Sequence, residues 1–210
     1  MPYDYKKECK EFYQPSKKPS LVEVPAMNYV AVRGKGDPNE PDGDYQHALE
    51  LLYGISFTIK MAPKAGVDLD GYFAYVVPPL EGFWSLPGSE GFDPTRKAEF
   101  SWISCIRLPD FVTPETFAWA KETAERKKRQ DFSQAELLSV DEGLCVQCMH
   151  VGPYDDEPPT IAAMRTFAEE NGCRVDLGPQ RLHHEIYLSD PRRTAPEKIK
   201  TVIRIPVRRA

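Results

Sequence analysis

The spacing of hydrophobic and polar residues divides the chain into helix-like and strand-like stretches. Apolar residues three and four positions apart indicate helices at residues 44–61 and 160–171. A capping Thr113, Pro114 in the first position and a basic C-terminal end indicate another at residues 113–130. Apolar or alternating runs bounded by turn residues indicate strands at residues 21–34, 71–77, 100–109, 144–151, 182–188 and 200–207. Pro25 interrupts the first of these strands and marks a break or an edge position. The order of elements is β-α-β-β, a linking helix, and β-α-β-β again.

Two pairs of similar segments support an internal repeat. VRGKGDP resembles HVGPYDD at the exit of the first strand of each unit, and CIRLP resembles VIRIP at the end of each unit. We therefore predict an α+β fold of two β-α-β-β repeats, of the SHS2 type, lying side by side. Their strands would form one sheet or two abutting sheets, with the helices on one side and a concave ligand cleft on the other.

The predicted domain boundaries follow from these elements. Residues 1–20 are polar and are expected to form an arm laid over the surface, and residues 21–207 are expected to form the domain. Within the domain, repeat one covers about residues 21–109, the linking helix about residues 113–130 and repeat two about residues 140–207.

Composition narrows the classes of function. The chain has 210 residues, 28% of them charged, and a net charge of −5. The basic residues are dispersed apart from residues 126–129, so we expect no direct binding of nucleic acid. No apolar run approaches the roughly 20 residues that span a bilayer, and the N-terminus lacks the apolar core of a signal peptide. We therefore expect a cytoplasmic protein with no membrane partner.

The cysteines and histidines do not have the spacing of a metal or redox site. Cys145 and Cys148 lie three positions apart on a predicted strand, so their side chains point to opposite faces. Cysteines that only pack are therefore favoured over the alternative of a zinc or redox pair. His183 and His184 are adjacent on a strand and cannot share one metal ion for the same reason. We expect neither a metal nor a cofactor.

A carboxylate inside an apolar strand is the main sign of chemistry in the second repeat. Period two places His183, Glu185 and Tyr187 on one face of the strand at residues 182–188, with the aliphatic residues on the other. The aliphatic face is expected to meet the helices, which would leave Glu185 and Tyr187 in the cleft. The alternative for Glu185 is a strand-edge carboxylate that is solvated or paired with Arg or Lys.

Glu157 is the second candidate carboxylate. It follows the HVGPYDD corner at the start of a predicted helix, with Pro158 and Pro159 in the first turn. A carboxylate at this position complements the partial positive charge of a helix N-terminus. A purely structural role for Glu157 therefore stands beside a catalytic one.

Aromatic residues of the first repeat complete the predicted cleft. The strand pattern places Phe73, Tyr75 and Val77 on one face. The connection at residues 78–99 is longer than a hairpin needs and carries three aromatic residues among its glycines and prolines, namely Phe83, Trp84 and Phe92. It is either a lid that closes aromatic rings over the cleft or a loop pinned to its own domain by those rings.

The HVGPYDD corner, the tail HHEIYLSDPRRTAPEKIKTVIRIPV and the doubled β-α-β-β string resemble the GyrI-like small-molecule-binding family. The resemblance covers about residues 20–207, and the chain looks like a stand-alone form without a DNA-binding domain. It implies that Glu185 lies in an aromatic-lined cleft and meets cationic or polar drug-like ligands.

One subfamily, the cyclopropanoid cyclopropyl hydrolases, is similar in a further respect. It has a second glutamate after the Gly-Pro-Tyr corner, which corresponds to Glu157, and an aromatic cage. The resemblance implies that Glu157 and Glu185 catalyse the hydrolysis of the strained ring of DNA-alkylating compounds, with a flat aromatic or cationic xenobiotic as the partner. The candidate cage residues are Tyr53, Tyr75, Trp84, Trp102 and Tyr187.

Two other functions stay open at this point. A non-catalytic protein would bind or sequester a drug, or act as the effector-binding partner of a regulator, with Glu185 neutralising a ligand cation. A haem- or tetrapyrrole-binding module would have a similar architecture. Projection of Glu157 into the cleft favours the hydrolase over the binder.

Overall fold

The structure is a computed structural model that describes residues 1–86, 88 and 94–210. These residues form five α-helices: α1 (Tyr5–Glu8), α2 (Lys10–Tyr13), α3 (Asp44–Lys60), α4 (Pro114–Lys128) and α5 (Pro158–Glu170). They also form nine strands: β1 (Ser20–Val24), β2 (Met27–Lys35), β3 (Leu80–Ser85), β4 (Ser101–Arg107), β5 (Glu136–Val140), β6 (Gly143–Val151), β7 (Cys173–Val175), β8 (His183–Tyr187) and β9 (Lys200–Arg209).

The strands form one antiparallel sheet. Eight of them follow the order β1-β6-β9-β8-β3-β4-β2-β5, and β7 pairs with the outer end of β9. Each half has the same arrangement, β8-β9-β6 on one side and β3-β4-β2 on the other. The halves meet where β3 pairs with β8. The α+β class and the antiparallel sheet agree with the prediction from the sequence.

Chain connections require this sheet to curve strongly. β1 lies at one end of the strand order, yet only Pro25 and Ala26 separate it from β2 near the other end. Three residue steps reach at most about 11 Å, whereas six strand spacings in a flat sheet would cover about 29 Å. The link between β5 and β6 is equally short. The sheet therefore has a convex and a concave face.

Helices cover the convex face. α3 packs on β2 and β4 through Leu52 and Ile55, with α4 beside it. α5 packs on β6 and β9 through Met164 and Ile203. All three predicted helices are confirmed. In the described part of the chain, no helix has the length and apolar character needed to cross a membrane.

The N-terminal segment closes the concave face. Tyr5, Phe12 and Tyr13 are buried there and pack with residues from both halves of the sheet, including Tyr29, Phe83, Ile186 and Val202. Residues 1–20 therefore do not form the polar surface arm expected from the sequence. The lysines of this segment misled the prediction, because the aromatic residues between them supply its buried face.

The predicted strand at residues 71–77 is wrong. This segment makes a single bridge, between Tyr75 and Tyr3, and the strand of the first half is β3 instead. β3 lies inside the connection that was interpreted as a lid or a pinned loop, so Phe83 and Trp84 belong to the centre of the sheet. Phe92 lies outside the described residues. Aromatic alternation at residues 71–77 was mistaken for sheet pairing.

The cleft was also predicted on the wrong face of the sheet. Glu185 pairs across the sheet with Gly82 and Ile203, so its side chain is on the convex face, between α3 and α5. His184 and Ile186 face the concave side, which the N-terminal segment fills. The strand periodicity of β8 was predicted correctly. The error lay in assigning its aliphatic face to the helices.

A buried ion network crosses the concave face. Glu142 accepts hydrogen bonds from His184 Nδ1 at 3.0 Å and from Arg204 Nη1 at 2.8 Å. His184 Nε2 lies 3.0 Å from Glu81 Oε2, as an ion pair whose geometry falls short of a well-aligned hydrogen bond. Tyr13 donates to Glu81 at 3.1 Å, which attaches the N-terminal segment. Two carboxylates thus face one guanidinium and one imidazole.

Charge balance in this network depends on His184. Burial would lower the pKa of His184, but the Glu142 and Glu81 carboxylates outweigh that effect and raise it. Burial likewise would raise the pKa of Glu142, but His184 and Arg204 lower it to about 2. An imidazolium at position 184 makes the four groups neutral together. Without that proton, the interior holds an excess negative charge.

We predict that His184→Phe lowers the free energy of unfolding at pH 6 by about 3–5 kcal/mol, because it leaves two buried carboxylates with one guanidinium. The raised pKa of His184 means that its stabilisation is complete below the unfolded value of about 6.5 and is lost as pH rises through the folded value. Urea unfolding from pH 6 to pH 9 should show this decline in the wild type and a weaker one in His184→Phe. His47→Gln, a change at a histidine on α3, should keep the wild-type pH dependence. Equal pH dependence in wild type and His184→Phe would contradict the assignment.

Candidate functional site

A long groove lies on the convex face between α3 and α5. Its volume is about 1200 Å³. β3 and β8 form its floor, α3 forms one wall, and the turn Tyr154–Asp156 before α5 forms part of the other. Antiparallel pairing explains the floor, because residues directly opposite each other on neighbouring strands share a face. Leu80, Gly82 and Trp84 of β3 thereby lie beside Tyr187, Glu185 and His183 of β8.

Glu157 is buried behind the inner end of the groove, next to Glu185, and does not itself line the groove. It occupies the N-cap position of α5 but makes no capping hydrogen bond with its side chain. It is 0% exposed, and neither carboxyl oxygen has a hydrogen-bond partner among the described residues. Ligand atoms of Glu157, His183 and Glu185 lie within 4.8 Å of one another. The side chain therefore points toward Glu185 and does not serve as a helix cap.

The environment of Glu157 favours its neutral form. Burial raises the pKa of the Glu157 carboxyl well above its usual range, and the adjacent Glu185 carboxyl raises it further. No Arg or Lys forms an ion pair with either glutamate in the described ranges. Two adjacent carboxyl groups in such a place are expected to share one proton.

Glu185 stands at the end of a directed chain of hydrogen bonds. Trp84 Nε1 donates to the Tyr187 hydroxyl at 2.8 Å, and the Tyr187 hydroxyl donates to Glu185 Oε2 at 2.8 Å. The indole N–H can only donate, so the Tyr187 proton must point at Glu185. His183 Nε2 contacts the other oxygen, Glu185 Oε1, at 3.0 Å. Because Glu185 receives these hydrogen bonds, it is favoured as the ionised carboxylate of the pair. The proton that the two carboxyl groups share is then favoured on Glu157.

Gly82 makes the first bond of this chain possible. A Cβ atom at position 82 would lie 2.7 Å from Trp84 Nε1 and 3.1 Å from the Tyr187 hydroxyl oxygen. The indole therefore folds back across the backbone of its own strand to reach Tyr187. Any side chain at this position would force the two groups apart.

Aromatic rings surround the two glutamates. Tyr45 stacks on Trp84 with ring centroids 5.8 Å apart, and Tyr154 meets Tyr187 edge to face at 5.7 Å. Burial and the neighbouring Glu185 raise the pKa of Tyr154 to about 12. Burial also raises the pKa of Tyr45 and Tyr187 above the usual range. All three hydroxyls stay neutral at physiological pH. Those of Tyr45 and Tyr154 can donate a hydrogen bond to a ligand, whereas the Tyr187 proton is already donated to Glu185.

An ion pair crosses the groove next to this end. Lys97 Nζ lies 2.7 Å from Asp155 Oδ1 and joins the turn Pro94–Glu99 to the turn Tyr154–Asp156. Asp155 is largely exposed, so the pair contributes little to stability. It holds together two segments that border the groove.

The structure brings four of the seven predicted site residues together, namely Glu157, Glu185, Trp84 and Tyr187. Tyr53 lines the groove farther along α3 and is 37% exposed. Trp102 lies behind Tyr45 and meets it edge to face at 5.1 Å, without lining this groove. Tyr75 packs in the core of the concave face and does not line this groove, so it is no longer a candidate cage residue.

Three site residues were not predicted: Tyr45, Tyr154 and His183. His183 shares its face of β8 with Glu185, and this periodicity was a sufficient signal. Tyr154 precedes Glu157 by three residues in the HVGPYDD corner. Tyr45 lies in the first turn of α3, where its apolar spacing predicted only burial.

Glu157, His183 and Glu185 also have the donor atoms and the proximity to hold a metal ion. Both oxygens of Glu185 are engaged by His183 and Tyr187, whereas the Glu157 oxygens have no hydrogen-bond partner among the described residues. The expectation of no metal and no cofactor stays a prediction.

Comparison with known proteins identifies relatives over the full length. The sequence of residues 17–208 matches the GyrI-like small molecule binding domain. A hydrolase from Listeria innocua is 48% identical, with a TM-score of 0.89, over 98% of this chain and 100% of that chain. A conserved protein from the same species is 50% identical, with a TM-score of 0.92 and the same coverage. A search of curated proteins found no match.

A more distant likeness concerns the fold alone. The C-terminal domain of EcmrR is 14% identical and has a TM-score of 0.52, over 92% of this chain and 98% of that chain. The HVGPYDD corner and the HHEIYLS tail, which carried the resemblance in the sequence, supply Tyr154, Glu185 and Tyr187 to the groove. The chain belongs to the GyrI-like family of small-molecule-binding domains.

Proposed function

We propose that this protein is a hydrolase that binds flat aromatic compounds in the groove and opens a strained cyclopropane ring by adding water. Its role would be the detoxification of DNA-alkylating cyclopropanoid compounds. The observation that carries this proposal is the buried pair of Glu157 and Glu185, one unpartnered and the other held by two neighbours. We also infer that the two halves of the sheet are SHS2-type repeats, since their strand orders agree.

The proposed reaction adds one water molecule. The water oxygen forms a bond to the methylene carbon of a cyclopropane fused to a conjugated dienone. The strained carbon–carbon bond breaks, and its electron pair moves into the dienone, which becomes a phenolate. One proton leaves the attacking water, and one proton is gained by the phenolate oxygen. Neither an oxidant nor a reductant is needed.

The two glutamates suit different parts of this reaction. Glu185 is the carboxylate of the pair, so it can accept the proton of the attacking water as a general base. Glu157 carries the shared proton and can hold the same water through a hydrogen bond or manage the proton that the phenolate requires. Holding the water in line with the strained bond is a positioning effect worth several kcal/mol.

The aromatic walls suit a flat ligand. Tyr45, Trp84 and Tyr154 surround the inner end of the groove, and ring stacking with a planar compound adds to the area that it buries. Because Glu157 and Glu185 are buried, the carboxyl pair acts in a medium where its charge is poorly screened. The Listeria innocua relative described as a hydrolase supports the enzyme class.

We predict that Glu185→Gln lowers turnover of a duocarmycin-type cyclopropane compound by at least about 100-fold, because the general base is lost. Glu157→Gln should lower turnover as well, while both variants still bind the compound. Mass spectrometry of the product should show the gain of one water with the wild type. A protein that binds the compound, leaves it unchanged and is unaffected by both substitutions would be a sequestering or effector-binding protein.

The raised pKa of Glu157 predicts an alkaline limb in the pH profile. The proton on Glu157 is present below its raised pKa and is lost above it, which leaves two adjacent carboxylates. We therefore expect kcat/KM of the wild type to fall as pH rises through that value. Glu157→Gln cannot lose this proton, so its lower rate should not show the same limb. An identical alkaline decline in both proteins would exclude Glu157 as its source.

We predict that Gly82→Ala lowers kcat/KM by about 100-fold, because the added Cβ separates Trp84 from Tyr187 and misplaces Glu185. Tryptophan fluorescence should report the displaced indole, and urea unfolding should show how much of the effect is lost stability. Gly178→Ala is the matched control, since a Cβ there meets nothing within 4 Å. Full activity of Gly82→Ala with a shifted indole would show that the Trp84 bond is dispensable.

A further inference from the structure

Glu157, His183 and Glu185 form a compact cluster of side chains that can bind a metal ion. One ligand atom from each lies within 4.8 Å of the other two, and His183 Nε2 lies 3.0 Å from Glu185 Oε1. All three side chains are buried. Catalytic zinc sites combine the same kinds of donor, imidazole nitrogen and carboxylate oxygen, as three protein ligands with a further position left open.

Glu157 is the observation that points to a ligand. Both of its carboxyl oxygens are buried without a hydrogen-bond partner among the described residues, and its side chain lies toward Glu185. Buried polar groups nearly always have a partner, because leaving one without a partner costs stability. A single proton shared with Glu185 satisfies only one of the two oxygens. A bound ion would supply the partner that Glu157 lacks.

The local charge also favours a doubly positive ion. Neither glutamate forms an ion pair with Arg or Lys within the described ranges. Lys97 borders this end of the groove, but it is already paired with Asp155 at 2.7 Å. When both glutamates are ionised, the cluster therefore holds two buried negative charges without compensation. A divalent ion neutralises both of them, which one proton cannot do.

The existing contacts would hold the ligands in place. Zn–N and Zn–O bonds are about 2.1 Å long, so ligands on a tetrahedral ion lie about 3.4 Å apart. The observed separations, 3.0 Å for His183 and Glu185 and no more than 4.8 Å within the cluster, require only small rotations of the side chains. Tyr187 donates to Glu185 Oε2 at 2.8 Å, which leaves Oε1 for the ion. Hydrogen bonds of this kind orient the ligands of natural metal sites.

Two cavities connect the cluster to solvent. Glu185 lines the groove, and His183 lines a second cavity of about 640 Å³. Trp84 lines both cavities and so lies between them. Both are large enough for a hydrated ion, and an entry path is one requirement of a metal site.

We propose that Glu157, His183 and Glu185 form a binding site for a divalent transition-metal ion, for which Zn²⁺ is the best match, and that the bound ion blocks hydrolysis. The ion is taken up from solution and is not a cofactor of the proposed reaction. It occupies the lone pair with which Glu185 would accept the proton of the attacking water. The inhibition rests on the proposed function, whereas the binding site does not.

The first experiment measures the binding of Zn²⁺ alone to the metal-free protein by isothermal titration calorimetry. Loss of an outer partner of a metal ligand costs about 10- to 100-fold in affinity, so loss of a direct ligand should cost about 100-fold or more. We expect this loss in Glu157→Gln, which preserves the size of the side chain, and in His183→Gln. Urea unfolding checks that each variant is folded.

His47→Gln and Cys9→Ser are the matched controls. They remove an imidazole and a thiol that are only partly buried and lie outside the cluster, so they should leave the affinity unchanged. Equal affinity in the wild type and Glu157→Gln would assign the zinc to other groups and overturn the site. Absence of binding to the wild type would overturn it as well.

The second experiment measures inhibition. Turnover of a duocarmycin-type cyclopropane compound by the wild type should fall as the site fills with Zn²⁺ and recover when EDTA removes the ion. Turnover that requires Zn²⁺ and is abolished by EDTA would overturn the inhibition. If the wild type consumes no compound with or without Zn²⁺, the hydrolase proposal fails, while calorimetry still decides whether the metal site exists.

Discussion

Both the groove and the core of the concave face depend on the pairing of β3 with β8 at the centre of the sheet. It joins the two halves and places Gly82 beside Glu185 and Trp84 beside His183 on the convex face. The same register places Phe83 beside His184 on the concave face, where their rings stack at 4.0 Å. A slip of one residue would exchange these two faces, so the register determines both the site and the core.

Buried charge is balanced on the concave face of the sheet and unbalanced on the convex face. On the concave face, Glu81 and Glu142 are balanced by His184 and Arg204, and the network attaches the N-terminal segment to the sheet. On the convex face, Glu157 and Glu185 lie close together with no Arg or Lys in an ion pair within the described ranges. A balanced network contributes to one stable arrangement, whereas a buried carboxyl group without a compensating charge has a raised pKa and is typical of a functional site. This contrast is the physical basis for assigning chemistry to the convex face.

Strand and helix periodicity was enough to predict much of this protein. The helices α3 and α5 have regular apolar spacing, and α4 has clear end signals in Thr113 and Pro114. The parity of β8 correctly grouped His183, Glu185 and Tyr187. The strand at residues 71–77 was predicted from the same kind of pattern and is wrong, because alternation describes which side chains share a face and not whether a neighbouring strand is present. β3 was hidden in a segment rich in glycine and proline. Glycine is required at position 82 because the Trp84 indole lies against its backbone. No local sequence pattern reveals this contact.

Local sequence was therefore sufficient for properties that depend on near neighbours in the chain: helix positions, strand parity, the α+β class and two unusual carboxylates. Properties that depend on distant segments meeting in space required the folded molecule. The side of the sheet that carries the groove follows from which surface the N-terminal aromatic residues fill, and Glu157 is buried beside Glu185 because α5 packs next to β8's half of the sheet. Burial and the field of a neighbouring charge act through space, so the raised pKa of Glu157 is a property of the fold and not of its sequence context.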